Sequence, residues 1–317
     1  MRHAMPVIAL PLLAFALLAF TLLAFPGAAR ADLPADVAVA VRAMGAVNDA
    51  AATADVVRPM HALRAPPRDV VARRDISFGD HPLQRLDVFT SSPDMGAGKP
   101  ILVFVHGGGF VQGDKHRPGD FTYDNVMIWA VSNGFVGVNT NYRLAPEFAY
   151  PNATQDVAAA LAWAREHGAE YGGDPETIFL WGHSAGASLV GSYLGHPEFH
   201  FVQGSGVSGA VLASGSGYEI EETNAYFADE SKLDEMASLS GLLMSDVPLF
   251  VMRAELDPPQ IAQSSDRLNE ALCNAGKCPA VFLQNPNHNH MTQVYTVNTS
   301  ETDISERILA FLRENVN

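Results

Sequence analysis

Thr177-Ile178-Phe179-Leu180-Trp181-Gly182-His183-Ser184-Ala185-Gly186-Ala187-Ser188-Leu189-Val190 joins two kinds of pattern across one tight turn. Thr177 to Trp181 is a short apolar run with β-branched and aromatic residues, which reads as a buried strand. The Ala/Leu/Val pattern from Ala185 to Leu194 reads as a helix, and Gly182-x-Ser184-x-Gly186 occupies the turn between them. A serine at such a turn is held in a strained backbone with its hydroxyl exposed, while the flanking glycines let strand and helix approach without a Cβ clash. The new helix also points its unpaired N–H groups and positive dipole end at the place where an oxyanion would form. Ser184 is thus the candidate nucleophile, with the Ala185 N–H as an expected oxyanion donor.

A second signal stands upstream. Ile101 to Val105 is another apolar run too short for a helix, and His106-Gly107-Gly108-Gly109 follows it at what should be the same sheet edge. Successive glycines can turn backbone N–H groups toward a carbonyl oxygen, so Gly108 and Gly109 are candidate oxyanion donors. His106 precedes this loop at a strand end, where an imidazole hydrogen-bonds backbone more often than it acts as a base.

Around these two motifs, strands and helices alternate. Strands are expected at 75–78, 85–89, 101–105, 135–138, 177–181, 207–213, 248–252 and 280–283, the first two as an antiparallel edge pair. Helical spacing occurs at 121–132, 155–167, 185–194, 260–275 and 302–314. This order implies an α/β fold with an eight-stranded, mostly parallel sheet flanked by helices, and chemistry beyond the carboxyl ends of the strands. Gly215 to Asp246, rich in acidic and small residues, is the expected short lid. Residues 32–72 read as an N-terminal helical segment, with helices at 35–44 and 50–62 and a possible role as a cap, ahead of a catalytic domain at 73–317.

An acid and a base should follow later strands. Pro248 to Met252 leads into Arg253-Ala254-Glu255-Leu256-Asp257, where Asp257 is the preferred acid and Glu255 the alternative. Ala280 to Leu283 leads into Asn285-Pro286-Asn287-His288-Asn289-His290, where His290 is the preferred base and His288 the alternative. The order Ser, Asp or Glu, then His suits a catalytic triad on this type of sheet. The His-x-His pair has no third ligand at metal-binding spacing, so no metal or other cofactor is expected.

Composition limits the rest. The chain has 317 residues, 48% of them hydrophobic and 17% charged, enough for a large globular core. Met1-Arg2-His3, the Leu/Ala/Phe run from Ala4 to Phe25 and Ala29-Arg30-Ala31 read as a signal peptide over residues 1–31, cleaved before Asp32. The alternative is an uncleaved anchor, since the run is long enough to span a bilayer. Removing residues 1–31 leaves 18 basic against 35 acidic residues, a net charge of −17. Such a field disfavours nucleic acid and stable membrane association after cleavage. The expected location is secreted or periplasmic, where a disulfide between Cys273 and Cys278 becomes plausible, two free thiols being the alternative.

With these residues placed, the chain resembles the carboxylesterase-type α/β-hydrolases, among them hormone-sensitive-lipase-like, feruloyl esterase-like and arylformamidase-like enzymes. The resemblance covers about residues 75–315. It rests on His106-Gly107-Gly108-Gly109-Phe110, Gly113-Asp114-Lys115, Asn141-Tyr142-Arg143-Leu144-Ala145-Pro146-Glu147, Tyr171-Gly172-Gly173-Asp174-Pro175 and the Ser184 turn. The Tyr142 to Glu147 stretch, Asp156 and Trp163 resemble positions that are structural in the family. The resemblance implies hydrolysis of a small-molecule carboxylic ester through an acyl-enzyme. An arylformamidase or other amidase would use the same triad, and a non-catalytic binding protein on the same fold is the reading from another class. The oligomeric state is not encoded in these patterns.

Overall fold

A computed structural model describes residue 1 and residues 32–62, 69–91 and 96–316. The expected signal segment therefore lies outside the described residues except for Met1. The described strands are β1 (Val70–Ser77), β2 (Arg85–Ser91), β3 (Lys99–Val105), β4 (Val136–Thr140), β5 (Gly173–His183), β6 (Gly209–Ala213), β7 (Leu249–Leu256) and β8 (Val281–Asn289). They form one sheet in the order β1-β2-β4-β3-β5-β6-β7-β8. β1 and β2 are antiparallel to their neighbours, and every pairing from β4 to β8 is parallel.

The helices are α1 (Ala35–Met44), α2 (Ala50–Ala62), α3 (Asp124–Ser132), α4 (Asn152–His167), α5 (Ala185–Gly195), α6 (Leu233–Met236), α7 (Leu239–Met244), α8 (Pro259–Asn274), α9 (Thr292–Tyr295) and α10 (Asp303–Glu314). The uninterrupted apolar runs of the central strands reflect burial on both faces. Along β3, Ile101, Val103 and Val105 pack with Val157 and Leu161 of α4 and Leu189 of α5. Leu102 and Phe104 point the other way, into a core with Val126 and Trp129 of α3 and Phe311 of α10. Val41 of α1 and Val57 of α2 belong to this second core, so the two N-terminal helices are packed onto the sheet.

Several strands run further than their sequence patterns suggest, among them β5 and β7; the two edge strands show why. β1 begins at Val70, five residues earlier than expected, because residues 70–73 pair with 88–91 before the ladder breaks between Arg73 and Ile76. Asp75 sits in that break at φ 56°, and the strand is largely exposed on this edge, which erases the alternation a sequence reading needs. β8 continues through Gln284-Asn285-Pro286-Asn287-His288 to Asn289, a polar stretch that reads as loop. Its position at the other edge of the sheet accommodates Pro286.

Gly215 to Asp246 folds down against α5. Tyr218, Tyr226, Phe227, Met236 and Leu242 are buried in the first core, and Tyr226 stacks on Phe110 with ring centroids 4.7 Å apart. Cys273 and Cys278 form a disulfide at the end of α8, with Cα atoms 4.0 Å apart.

Candidate active site

Ser184 is the first residue after β5, Asp257 the first after β7 and His290 the first after β8. All three therefore emerge at one edge of the parallel sheet, where ligands bind in open α/β folds. Ser184 has φ 56° and ψ −123°, and its N–H is held by the Ala213 carbonyl at 2.8 Å. The glycines around it fill a steric need. A Cβ on Gly186 would stand 2.1 Å from the Val105 carbonyl oxygen, and one on Gly182 2.3 Å from that of Gly186. The turn can close only with both glycines, which lets α5 start directly beneath the serine.

His290 Nδ1–H donates to Asp257 Oδ1 at 2.7 Å, and both side chains are fully buried. The second carboxylate oxygen accepts from the Ser214 hydroxyl at 2.5 Å and from the Ala254 N–H at 2.8 Å. Gln293 Nε2 in turn donates to Ser214 at 2.5 Å and to the His290 carbonyl at 3.1 Å. Both Asp257 oxygens are thus engaged, and the imidazole is fixed with Nδ1 as donor. Among the described residues His290 Nε2 is buried without a hydrogen-bond partner.

The alternative acid and base are used elsewhere. Glu255 accepts from Arg42 Nη2 at 2.9 and 3.0 Å and from the Asn287 N–H at 2.7 Å. Arg42 Nε also donates to Asn287 Oδ1 at 2.7 Å, so Glu255 ties α1 to the end of β8. These hydrogen bonds hold its carboxyl below the ordinary value, the Asn287 N–H contributing most. His288 is buried, its Nδ1 has no partner among the described residues, and burial holds it near 4. Among the described residues no group of three or more His, Cys, Asp or Glu side chains could hold a metal ion.

The glycine loop lies against the serine. A Cβ on Gly107 would come within 3.0 Å of Ser184 Cβ. Gly108 and Gly109 have φ 135° and 60°, a region that side chains rarely adopt. Among the described residues neither of their N–H groups donates to a backbone carbonyl. His106 anchors this loop: its Nδ1–H donates to the Gly107 carbonyl at 2.7 Å and its ring stacks on Tyr142 at 4.4 Å. Tyr142 closes the frame by donating to the His106 carbonyl at 3.1 Å. The neighbouring family segments are also structural. Arg143 pairs with Asp156 at 2.7 Å, and Lys115 pairs with Asp75 and Asp87 at 2.7 and 2.9 Å.

The fold and parts of the sequence match known proteins. The BD-FAE family model matches residues 86–196, from β2 through the glycine loop and Ser184 to the end of α5. Esterase LipQ of Mycobacterium tuberculosis is 30% identical over 240 residues, covering 68% of this chain and 56% of that protein. Carboxylesterase NlhH of the same organism is 41% identical over 92 residues, covering 28% of this chain and 27% of that protein. Among solved structures, esterase B from Lactobacillus rhamnosis superposes with a TM-score of 0.66 at 19% identity, covering 88% of this chain and 97% of that one. A truncated carbohydrate esterase from gut microbiota gives 0.65 at 17% identity, covering 80% and 99%.

The chain has the α/β-hydrolase fold, and its sequence is similar to carboxylesterases of that fold. It spans about half the length of LipQ and less of NlhH.

A cavity of about 440 Å³ opens beside Ser184, between the glycine loop and the start of α2. Asn48, Asp49 and Ala50 form one wall, so the connection between α1 and α2 reaches the mouth of the site. Tyr123, Met291 and Tyr295 supply the apolar wall, and Gln112 and Arg117 stand at the polar side. His183 lies behind the serine, donating from Nε2 to the His290 carbonyl at 2.9 Å, and burial holds its imidazole well below the ordinary value. Sequence reasoning missed Ser214, Gln293, Tyr123 and Arg117. None belongs to a short motif, and only the adjacency of Gln293 to the His290 turn carried any signal.

Proposed function

We propose that this hydrolase cleaves carboxylic esters with Ser184 as nucleophile, His290 as base and Asp257 as the orienting acid. One observation carries the reading: His290 is locked to Asp257 through Nδ1 while its buried Nε2 has no partner among the described residues. In the reaction Nε2 takes the Ser184 proton as Oγ attacks the ester carbonyl. The imidazolium that forms is stabilised by Asp257, whose charge is itself held by Ser214 and the Ala254 N–H. The carbonyl oxygen becomes an oxyanion received by the N–H groups of Gly108, Gly109 and Ala185. His290 then protonates the leaving alcohol, and water, deprotonated by the same Nε2, releases the acid from the acyl-serine.

The alignments with LipQ and NlhH, both named as esterases, support an ester over an amide. The cavity size supports a short or compact substrate. The experiment is a panel of short and long p-nitrophenyl acyl esters, a feruloyl ester and N-formylkynurenine, run with the wild type and Ser184→Ala. Ser184-dependent turnover of esters is expected. Preference for N-formylkynurenine would move the assignment to a formamidase, and no Ser184-dependent turnover on any member would leave a binding protein.

We also infer that the hydrolase is exported, with residues 1–31 removed as a signal. The small residues Ala29 and Ala31 ahead of Asp32 support this, and the Cys273–Cys278 disulfide suits an oxidising compartment. Amino-terminal sequencing of protein from the periplasm or medium should begin at Asp32; protein that stays in the membrane with Met1 intact refutes it.

A further inference from the structure

The arginines of this acidic chain are mostly committed to carboxylates. Arg42, Arg58, Arg74, Arg143, Arg165 and Arg253 each hold one at 2.5–3.3 Å. Arg117 differs: it lines the cavity beside Ser184 and, among the described residues, has no ion pair. Tyr123 and Tyr295 line the same cavity; burial raises both phenols, and the Arg117 charge works against that rise. The cavity's one carboxylate, Asp49, is occupied differently. Its Oδ1 accepts the Ala52 N–H at 2.9 Å, at the N-terminus of the 13-residue helix α2, whose dipole offsets its charge. The cavity therefore presents one guanidinium without an ion pair among the described residues, suited to two parallel hydrogen bonds with an anion.

We propose that Arg117 is a specificity-determining residue, and that the substrates are short esters carrying a carboxylate in the acyl or alcohol half. This rests on the esterase reading of the site. Binding would place the ester carbonyl between Ser184 and the glycine loop, the carbon chain along Tyr123, Met291 and Tyr295, and the carboxylate on Arg117. A neutral ester of the same length leaves the guanidinium in water and gains only the apolar contacts.

The test pairs esters that share a skeleton and differ in one carboxylate. Monomethyl glutarate against methyl pentanoate places the charge in the acyl half; 4-acetoxybenzoate against phenyl acetate places it in the alcohol half. In at least one pair, Arg117→Gln should lower kcat/KM for the anionic member about tenfold more than for its neutral partner, chiefly through KM, the scale of one charge-assisted hydrogen bond. Added salt should weaken the same preference. An equal change in both members of both pairs overturns the proposal. Failure of the esterase reading is separable: no Ser184-dependent turnover of methyl pentanoate or phenyl acetate. Calorimetric titration of Ser184→Ala with monomethyl glutarate and 4-acetoxybenzoate, with and without Arg117→Gln, then decides the anion site. Binding of either that depends on Arg117 supports it, and its absence for both overturns it.

Discussion

Asp257 and His290 meet at 2.7 Å as the first residues beyond two adjacent parallel strands, each fully buried, with no freedom to exchange partners. Their neighbours two positions upstream, Glu255 and His288, share the residue types but not the setting. Glu255 holds Arg42 at the surface, and among the described residues the buried His288 Nδ1 has no hydrogen-bond partner.

Asp257→Asn should cost kcat roughly ten-thousand-fold, because the amide leaves His290 in the wrong tautomer. Glu255→Gln should leave kcat within about threefold. It removes a half-exposed ion pair, for which about 1 kcal/mol or less of stability is expected. Steady-state kinetics beside urea unfolding distinguishes the two; a large kcat loss in Glu255→Gln would exchange the acids.

His290→Ala should lose several orders of magnitude in kcat. His288→Ala should instead lower the unfolding midpoint by the cost of a cavity, about 2 kcal/mol or more, with kcat per folded molecule retained. Active-site titration with a fluorophosphonate provides the count of competent molecules.

Ser214→Ala removes one of three hydrogen bonds to a buried carboxylate and strands Gln293. About tenfold in kcat is expected, the scale of a hydrogen bond to a charged group. Gln293→Leu should fall in the same direction by less. Wild-type rates in Ser214→Ala would mean that Asp257 needs only His290 and the Ala254 amide.

Gly186→Ala should fail to fold or unfold at much lower temperature, since the new Cβ meets backbone, the Val105 carbonyl, at 2.1 Å. Thermal unfolding with far-ultraviolet circular dichroism reads this directly, and a Tm near wild type would show that α5 can shift away from β3.

Stability should depend on pH through two buried groups of opposite sign. Burial lowers His288 from its ordinary 6.5 to about 4. The folded chain then refuses a proton that the unfolded chain accepts, so this contribution is present above 6.5 and lost as pH falls toward 4. Burial raises Glu301 from 4.5 to about 7, so the folded chain keeps a proton that the unfolded chain has given up. That contribution is present below 4.5 and lost as pH rises through 7. Urea midpoints from pH 4 to 8 should flatten on the acid side in His288→Gln and on the neutral side in Glu301→Gln; unchanged slopes in both would sink the assignment.

The sequence by itself determined the sheet and its helices, because burial on one or both faces writes a period into each element. The runs at 101–105 and 177–181, the helices at 35–44 and 50–62 and the glycines around Ser184 are local facts of this kind. Tertiary structure alone decided which carboxylate and which imidazole meet. Residues two apart on one strand have similar local credentials, so the sequence yields a preference for Asp257 and His290 but not their contact, which depends on where β7 breaks register between Ala254 and Leu256 and where edge strand β8 ends. The same holds for the support of Asp257 by Ser214 from β6's end, and for the cavity wall made by Asn48 to Ala50. Those contacts join segments 43 and more than 130 residues apart, and no periodicity in either segment encodes its partner.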